Sequence, residues 1–475
     1  MFDQRPIPLA PTTWVLGRLL VAVLAWLALS AVHLQPAHAA TRTVTTLEDT
    51  FDGTCNADCS IFDAITAAAP GDTIAFQNGL AGTLTLVSGE LPINKTLTIA
   101  GPGAKVLAIS GNNASRIFNV AGGVALTVTD LTLRNGRDAP ATTPGLGGAI
   151  LNFGSLTLSR VAVRDSQARG GVSGTAGQSG SGGGLASVGS SSLSLTDVAF
   201  DNNAAVGGAG SGAGVGTGGA LSIGAGAGTV TIDRTTFSNN LAQGGNSDTA
   251  ASVGGGLGGA IDSVATMTIT NSTFSANAAR AGTAPTAANA GGSGGAISLT
   301  LGALGSATLT NVTIAHNLTT GGVFSSGGGV LVSSGTVLFR NTIVAHNTLN
   351  SNGNNCSGTI GGGNNLEFGA NTCPGGGVFS LGNPILAALA DNGGVGMTHA
   401  LLPGSAAIDT GNNNVCPAVD QRLASRAIHR PCDIGAFELP TRGAPVTTSP
   451  AGLAPSHRAG PAPSGPTPSR APGHR

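Results

Sequence analysis

The sequence predicts an all-β chain, a right-handed parallel β-helix of the single-stranded solenoid kind, with a short capping helix at its N-terminal end. Three observations predict it. A glycine pair followed by small or apolar residues recurs at Gly147, Gly183, Gly218, Gly258, Gly294 and Gly328. Each pair precedes a stretch of alternating apolar and polar residues, at 156, 193, 230, 267, 307 and 337, and such alternation marks a strand with one buried face. A second motif, Phe-x-x-Asn or a variant, then places asparagines at 203, 240, 277, 317 and 347, at intervals of 37, 37, 40 and 30 residues. A period of that size belongs to a solenoid. A helical solenoid is the structural rival, but Gly and Thr are poor helix formers and the pattern has period two.

Coils stacked about 4.8 Å apart bring equivalent positions into columns. Phe200, Phe237 and Phe274 should fill the interior. Asn203, Asn240, Asn277, Asn317 and Asn347 are expected at a tight bend, because Asn tolerates the left-handed conformation and its amide can bond to the one above. The glycine-rich segments 207–219 and 243–256 read as loops leaving one edge. With 77 glycines, 14 phenylalanines, two tryptophans and no tyrosine, the core must be thin and aliphatic.

In chain order, residues 1–39 read as a signal peptide: Arg5 and Arg18 flank an apolar run, Leu19 to Leu29, too short to span a bilayer, and Ala37-His38-Ala39 offers cleavage before Ala40. The mature chain is therefore expected to be secreted or on the cell surface, without a transmembrane span. Thiols there tend to pair. The six cysteines allow 15 connectivities, of which three local disulfides are expected: Cys55 with Cys59, Cys356 with Cys373, and Cys416 with Cys432. A metal site is disfavoured, since no Cys-x-x-Cys pair or nearby histidine cluster supports it. Residues 40–76 form an N-terminal cap, in which Ser60 caps a helix from Ile61 to Ala68 whose Ile61, Ile65 and Phe62 face the first coil. The coils occupy 77–380 and a compact module 381–439. The segment 440–475, with nine prolines, four arginines and no acid, reads as a disordered basic tail.

Charged residues make up 9% of the chain, the formal net charge is −1 and lysine occurs only at Lys95 and Lys105, so no nucleic-acid-binding stripe is expected. A glycan-cleaving enzyme on such a scaffold needs paired carboxylates, or aspartate-bound calcium beside a basic residue. The glutamates are Glu48, Glu90, Glu367 and Glu438, none within the glycine-pair coils. One column reads Asp130, Arg160, Asp197, Arg234, Asn271, Asn311, Asn341. Its bland reading is a surface ladder of ion pairs; its functional reading is a glycan-contact strip of Asp130, Arg160, Asp197 and Arg234. His316 and His346 also align, one position before the Asn, and are read as a solvated ladder rather than a catalytic or metal pair. No catalytic residue, cofactor or metal ligand is assigned. The reading is a monomeric exported protein, adhesive or in contact with extracellular polysaccharide or cell-wall polymer. The alternatives are a polysaccharide lyase or glycoside hydrolase, and a structural surface-layer component.

The glycine-pair and Phe-x-x-Asn motifs resemble the repeats of chlamydial polymorphic outer-membrane proteins and similar bacterial β-helix surface proteins. The run Cys59-Ser60-Ile61-Phe62-Asp63-Ala64 is similar to the CSLREA N-terminal domain, with Phe62 in place of its Arg and Asp63 in place of its Glu. The segments Asp391-Asn392-Gly393-Gly394, Thr398-His399-Ala400-Leu401, Pro403-Gly404-Ser405, Ala407-Ile408-Asp409, Asp420-Gln421-Arg422 and Asp433-Ile434-Gly435-Ala436-Phe437-Glu438 resemble the choice-of-anchor Q domain. These resemblances imply a pectin-lyase-like fold, export, and an adhesin-like role.

Overall fold

The computed structural model describes residues 39–248, 253–285, 290–426 and 430–440. The expected signal peptide, but for Ala39, and the expected tail, but for Pro440, lie outside the described residues. The chain forms a right-handed parallel β-helix. A full coil visits five sheets in fixed order. Sheet 1 has eleven strands, from Thr41–Val44 to Gly361–Gly363; sheet 2 has eleven, from Gly82–Thr85 to Phe379–Leu381; sheet 3 has eight, from Arg137–Asp138 to Asn352–Gly353. Sheet 4 has five, from Gly145–Leu146 to Gly292–Ser293, and sheet 5 nine, from Leu91–Ile93 to Cys356–Ser357.

Register follows the hydrophobic alternation, since a slip of one residue would turn every apolar side chain outward. On sheet 1, Leu126, Leu156, Leu193, Val230, Met267, Ala307 and Val337 lie directly over one another, all buried. On sheet 2, Phe200, Phe237 and Phe274 are in register and stack with ring centroids 5.1 and 4.7 Å apart.

Sheets 1 and 2 are joined through a residue in the left-handed conformation, with φ between 47° and 57° at Asp130, Arg160, Asp197, Arg234, Asn271, Asn311 and Asn341. A second left-handed column, Asn135, Asp165, Asn202, Asn239, Ala276, His316 and His346, separates sheet 2 from sheet 3. The expectation that the Asn203 column would hold the left-handed bend is thus corrected by one position. The column beginning at Asn203 follows the bend and is buried, where its amides form a continuous ladder. Oδ1 of Asn240 accepts both N–H and Nδ2–H of Asn203, each at 3.0 Å. The same arrangement repeats from Asn240 to Asn277, Asn317, Asn347 and Asn355.

The glycine pair serves two separate needs. Its first member lies near φ 60° at Gly147, Gly182, Gly218, Gly258, Gly294 and Gly327, a conformation in which a Cβ would crowd the following carbonyl. At the second, a Cβ would collide with the backbone oxygen of the next coil, as at Gly219 against Gly259 and Gly259 against Gly295. Two assignments shift accordingly: the pairs begin at Gly182 and Gly327, not Gly183 and Gly328. Both sit in runs of three glycines, where only backbone conformation tells the members apart.

The described parts of the glycine-rich segments run mostly outside the strands, between sheets 3 and 4, and bond to one another from coil to coil. Gly208 N–H donates to Gln178 O at 2.7 Å, Gly245 N–H to Gly214 O at 2.8 Å, and Gly282 N–H to Gly254 O at 2.9 Å. At the N-terminal end, the helix Ile61–Ala67 starts from Ser60 with a full capping box to Asp63, and Ile61 and Ile65 are buried against the first coil. The three disulfides are Cys55–Cys59, Cys356–Cys373 and Cys416–Cys432. No helix among the described residues is long and apolar enough to cross a membrane.

Candidate functional site

Sheet 2 presents two outward columns. The first runs Thr83, Ala108, Thr132, Ala162, Ala199, Thr236, Thr273, Thr313, Ile343; the other runs Thr85, Ser110, Arg134, Arg164, Asp201, Ser238, Ser275, Ala315, Ala345. The described residues after 382 fold back along this face. Ile343, Ala345 and Leu366 make a second apolar cluster with Leu401, Ala407, Ile434 and Phe437. Polar groups then fix the register. Thr273 Oγ1 donates to Gln421 Oε1 at 2.6 Å, Thr236 Oγ1 to Met397 O at 2.7 Å, and Ala436 N–H donates to Thr313 Oγ1 at 3.0 Å. Arg426, 5% exposed, pairs with Glu438 at 3.0 Å and reaches Asn271 Oδ1 at 3.1 Å. Asn311 donates to Asp433 O, and Asn341 to Asn412 O.

This module covers sheet 2 only as far as Val395, which packs on Ala162 and Ala199 beside Ala104. Beyond it, towards the N-terminal coils, an open groove of about 370 Å³ remains, with Ala108 and Thr132 on its floor and Ala104, Lys105, Arg134 and Arg164 among its walls. The loop carrying Ala104 and Lys105 is pinned by Thr132, whose Oγ1 donates to Ala104 O at 2.6 Å. Arg134 and Arg164 are paired across adjacent strands. Arg134 Nη2 donates to Thr83 Oγ1 at 2.7 Å, reaching over the small Ala108, and the Nε atoms of both arginines are buried without a hydrogen-bond partner. Lys105 and both arginines lack an ion pair among the described residues.

Asp130, Arg160, Asp197 and Arg234 are brought together at the bend between sheets 1 and 2. Arg160 grips Asp130 through Nε and Nη2, both at 2.7 Å, and Arg234 grips Asp197 at 2.8 and 3.0 Å. Arg234 also bonds Asp233. The hydrogen bonds to Asp130, with Asp197 adding to the field, raise the Arg160 pKa against its partial burial. Each charge in the column is therefore already partnered within it. The asparagines continuing it, Asn271, Asn311 and Asn341, are buried under the module.

His316 and His346 stack with parallel rings 5.0 Å apart, and a third histidine joins them from the module. His399 lies 5.5 Å from His316, its Nδ1 2.7 Å from Ala387 O and its Nε2 2.9 Å from Ser275 Oγ. A proton on Nδ1 satisfies the carbonyl and leaves Nε2 to accept from the serine. Burial pulls its pKa down to about 4.

Sequence reasoning missed Arg134 and Arg164, because it aligned the residues before each strand rather than those on its outward face. The signal was present: each follows the stacked apolar residue, Leu133 or Val163, directly. It also missed Glu367. This buried carboxylate ends the asparagine ladder, with Oε1 accepting from Asn355 Nδ2 at 3.1 Å and from Thr372 N–H at 2.9 Å.

No protein-family model matches the chain, and no curated protein matches it. Among solved structures, the chain is similar to pectate lyase Pel9A, at 15% identity over 84% of this chain and 97% of that one, with a TM-score of 0.42. It is also similar to the PL6 family alginate lyase AlyGC, at 12% identity over 83% of this chain and 57% of that one, with a TM-score of 0.27. The fold assignment rests on the chain's own strand pairing.

Proposed function

We propose that the protein is an exported, surface-displayed or secreted β-helix that contacts polysaccharide through the open part of sheet 2. The observation that carries this reading is the groove left where the module stops. Stacked coils offer evenly spaced hydroxyl and guanidinium groups there, on a rigid floor of small residues. Three disulfides, with no free cysteine among the described residues, suit an oxidising compartment outside the cytosol. The similarity of the C-terminal segments to the choice-of-anchor Q domain and of the Cys59 run to the CSLREA domain supports the same location.

The test is retention of the mature protein on immobilised acidic and neutral polysaccharides, with the supernatant assayed for unsaturated or reducing ends. Retention without product release is the expected outcome. Release of cleaved ends would replace the binding role with a lyase or hydrolase, and absence of retention on every polymer would leave the surface-layer reading. The strip at Asp130, Arg160, Asp197 and Arg234 is expected to add little: replacing all four should leave retention unchanged.

A further inference from the structure

We infer that the groove over the N-terminal part of sheet 2 is an anion site for a carboxylate-bearing saccharide, held by Arg134 and Arg164 with Lys105 at the rim. The inference rests on the polysaccharide-contact reading and specifies the charge class of its ligand.

Two arginines of the neighbouring bend show a guanidinium fully engaged by a carboxylate. Arg160 and Arg234 each present Nε and Nη2 as a fork to the aspartate one coil away, the planar pairing for which guanidinium is suited. Arg134 and Arg164 belong to the same or adjoining coils, yet no protein carboxylate fills their forks. Arg134 spends one Nη2 contact on Thr83. Arg164 makes no side-chain hydrogen bond or ion pair among the described residues, so its guanidinium is left for a ligand in the groove it lines.

The neighbouring carboxylates are committed elsewhere. Asp165, which lines the groove, accepts from Asn202 Nδ2 through Oδ1 at 2.7 Å. Asp201, paired across from Arg164, accepts from Ser238 Oγ and Asn239 Nδ2 at 2.7 and 3.0 Å. Neither forms an ion pair with the groove arginines among the described residues.

The ligand's class follows from this arrangement. The arginines repeat at the coil spacing of about 4.8 Å, comparable to the length of a sugar ring, so a polymer with one charge per residue meets them in succession. Thr83, whose Oγ1 accepts from Arg134 and keeps its own proton, supplies a hydroxyl donor for an uncharged oxygen. Asp165 at the edge opposes a ligand of higher charge density and suits singly charged carboxylates.

The test compares binding of a defined oligogalacturonate with that of its carboxyl-reduced neutral counterpart, by calorimetry on the full mature chain. Two variants are used, Arg134→Gln/Arg164→Gln and, for the rim, Lys105→Ala; a thermal melt confirms that each is folded. The expected result is preference for the acidic oligomer, weakening with added salt and falling by about tenfold or more in the double variant. Lys105→Ala should cost less. Equal binding of both oligomers, or acidic binding untouched by the double variant, would overturn the inference while leaving polysaccharide contact standing. Failure of both oligomers to bind, on protein that also fails to be retained on any polysaccharide, would overturn both readings.

Discussion

At Asn277 the stack depends on single side chains. Its Oδ1 accepts two hydrogen bonds from Asn240, and its Nδ2 donates to Phe237 O at 3.0 Å and Asn317 Oδ1 at 2.9 Å. Asn277→Ala would strand the two donors that Asn240 directs at it, and leave Phe237 O and Asn317 Oδ1 each one donor short in the interior. Each buried orphan costs about 1–3 kcal/mol, so the urea midpoint should drop sharply with an unchanged slope. One residue away, the opposite effect is expected. Ala276 holds φ at 56°, and its exposed side chain fills no cavity. Replacing it with glycine removes a conformational penalty of about 1–2 kcal/mol, offset in part by the freedom gained in the unfolded chain. Ala276→Gly should therefore raise the midpoint modestly, and a decrease would contradict the strain argument.

The C-terminal module is the element whose seating is most exposed to test. Arg426 joins Glu438, Asp433 O and Gly435 O within the module to Asn271 of the stack. Arg426→Ala breaks the buried ion pair with Glu438 and the contact to Asn271, a change of about 3–5 kcal/mol. Trypsin should then cut at Arg422 and Arg430 while the circular dichroism of the coils is retained. Acidity acts on the same seam in two directions. His399 titrates at about 4, below its ordinary 6.5, so it stabilises the seated module fully above pH 6.5 and progressively less as pH falls towards 4. Asp433, pushed up to about 6 by burial, with Glu438 adding to it, contributes the reverse: its stabilisation is present below its ordinary 3.8 and is lost as pH rises through 6. Replacing His399 by Gln removes the first contribution, so between pH 6 and 4 the variant should lose less stability than the parent, as read from urea midpoints of module release. An unchanged pH profile would remove His399 from the seam. Much of the architecture was legible in the sequence, because a column of Leu, Phe or Asn repeats its chemistry in every coil. The Asn column was misplaced by one residue because both it and its predecessor are often asparagine, as at Asn202-Asn203 and Asn239-Asn240. The groove was not legible. It exists because residues far apart in the chain, Ala104 and Val395, end on the same face, and no local period encodes that meeting.

At the scale of the whole molecule, the coils and the module obey different rules. Coils contact mainly their neighbours, so the stack should survive removal of one repeat if the columns rejoin in phase. The module spans several coils at fixed separations, bonding Thr236, Thr273 and Thr313 in successive strands. Two deletions of one period, 37 residues, separate these behaviours. Removing 166–202 joins Asp165 to Asn203 and leaves every polar contact of the module intact. Removing 240–276 joins Asn239 to Asn277 and takes away Thr273 and Asn271, so Gln421 loses its Thr273 contact, Arg426 loses its contact to the stack, and the contacts to Thr313 arrive one coil early. Both proteins are expected to show the β-sheet dichroism of the parent. Only the second should be cut rapidly by trypsin within the module. Equal protection of the two would mean that the module is held by its apolar cluster at Ile343, Ala345 and Leu366 alone, and that its polar register with the inner coils contributes nothing to its seat.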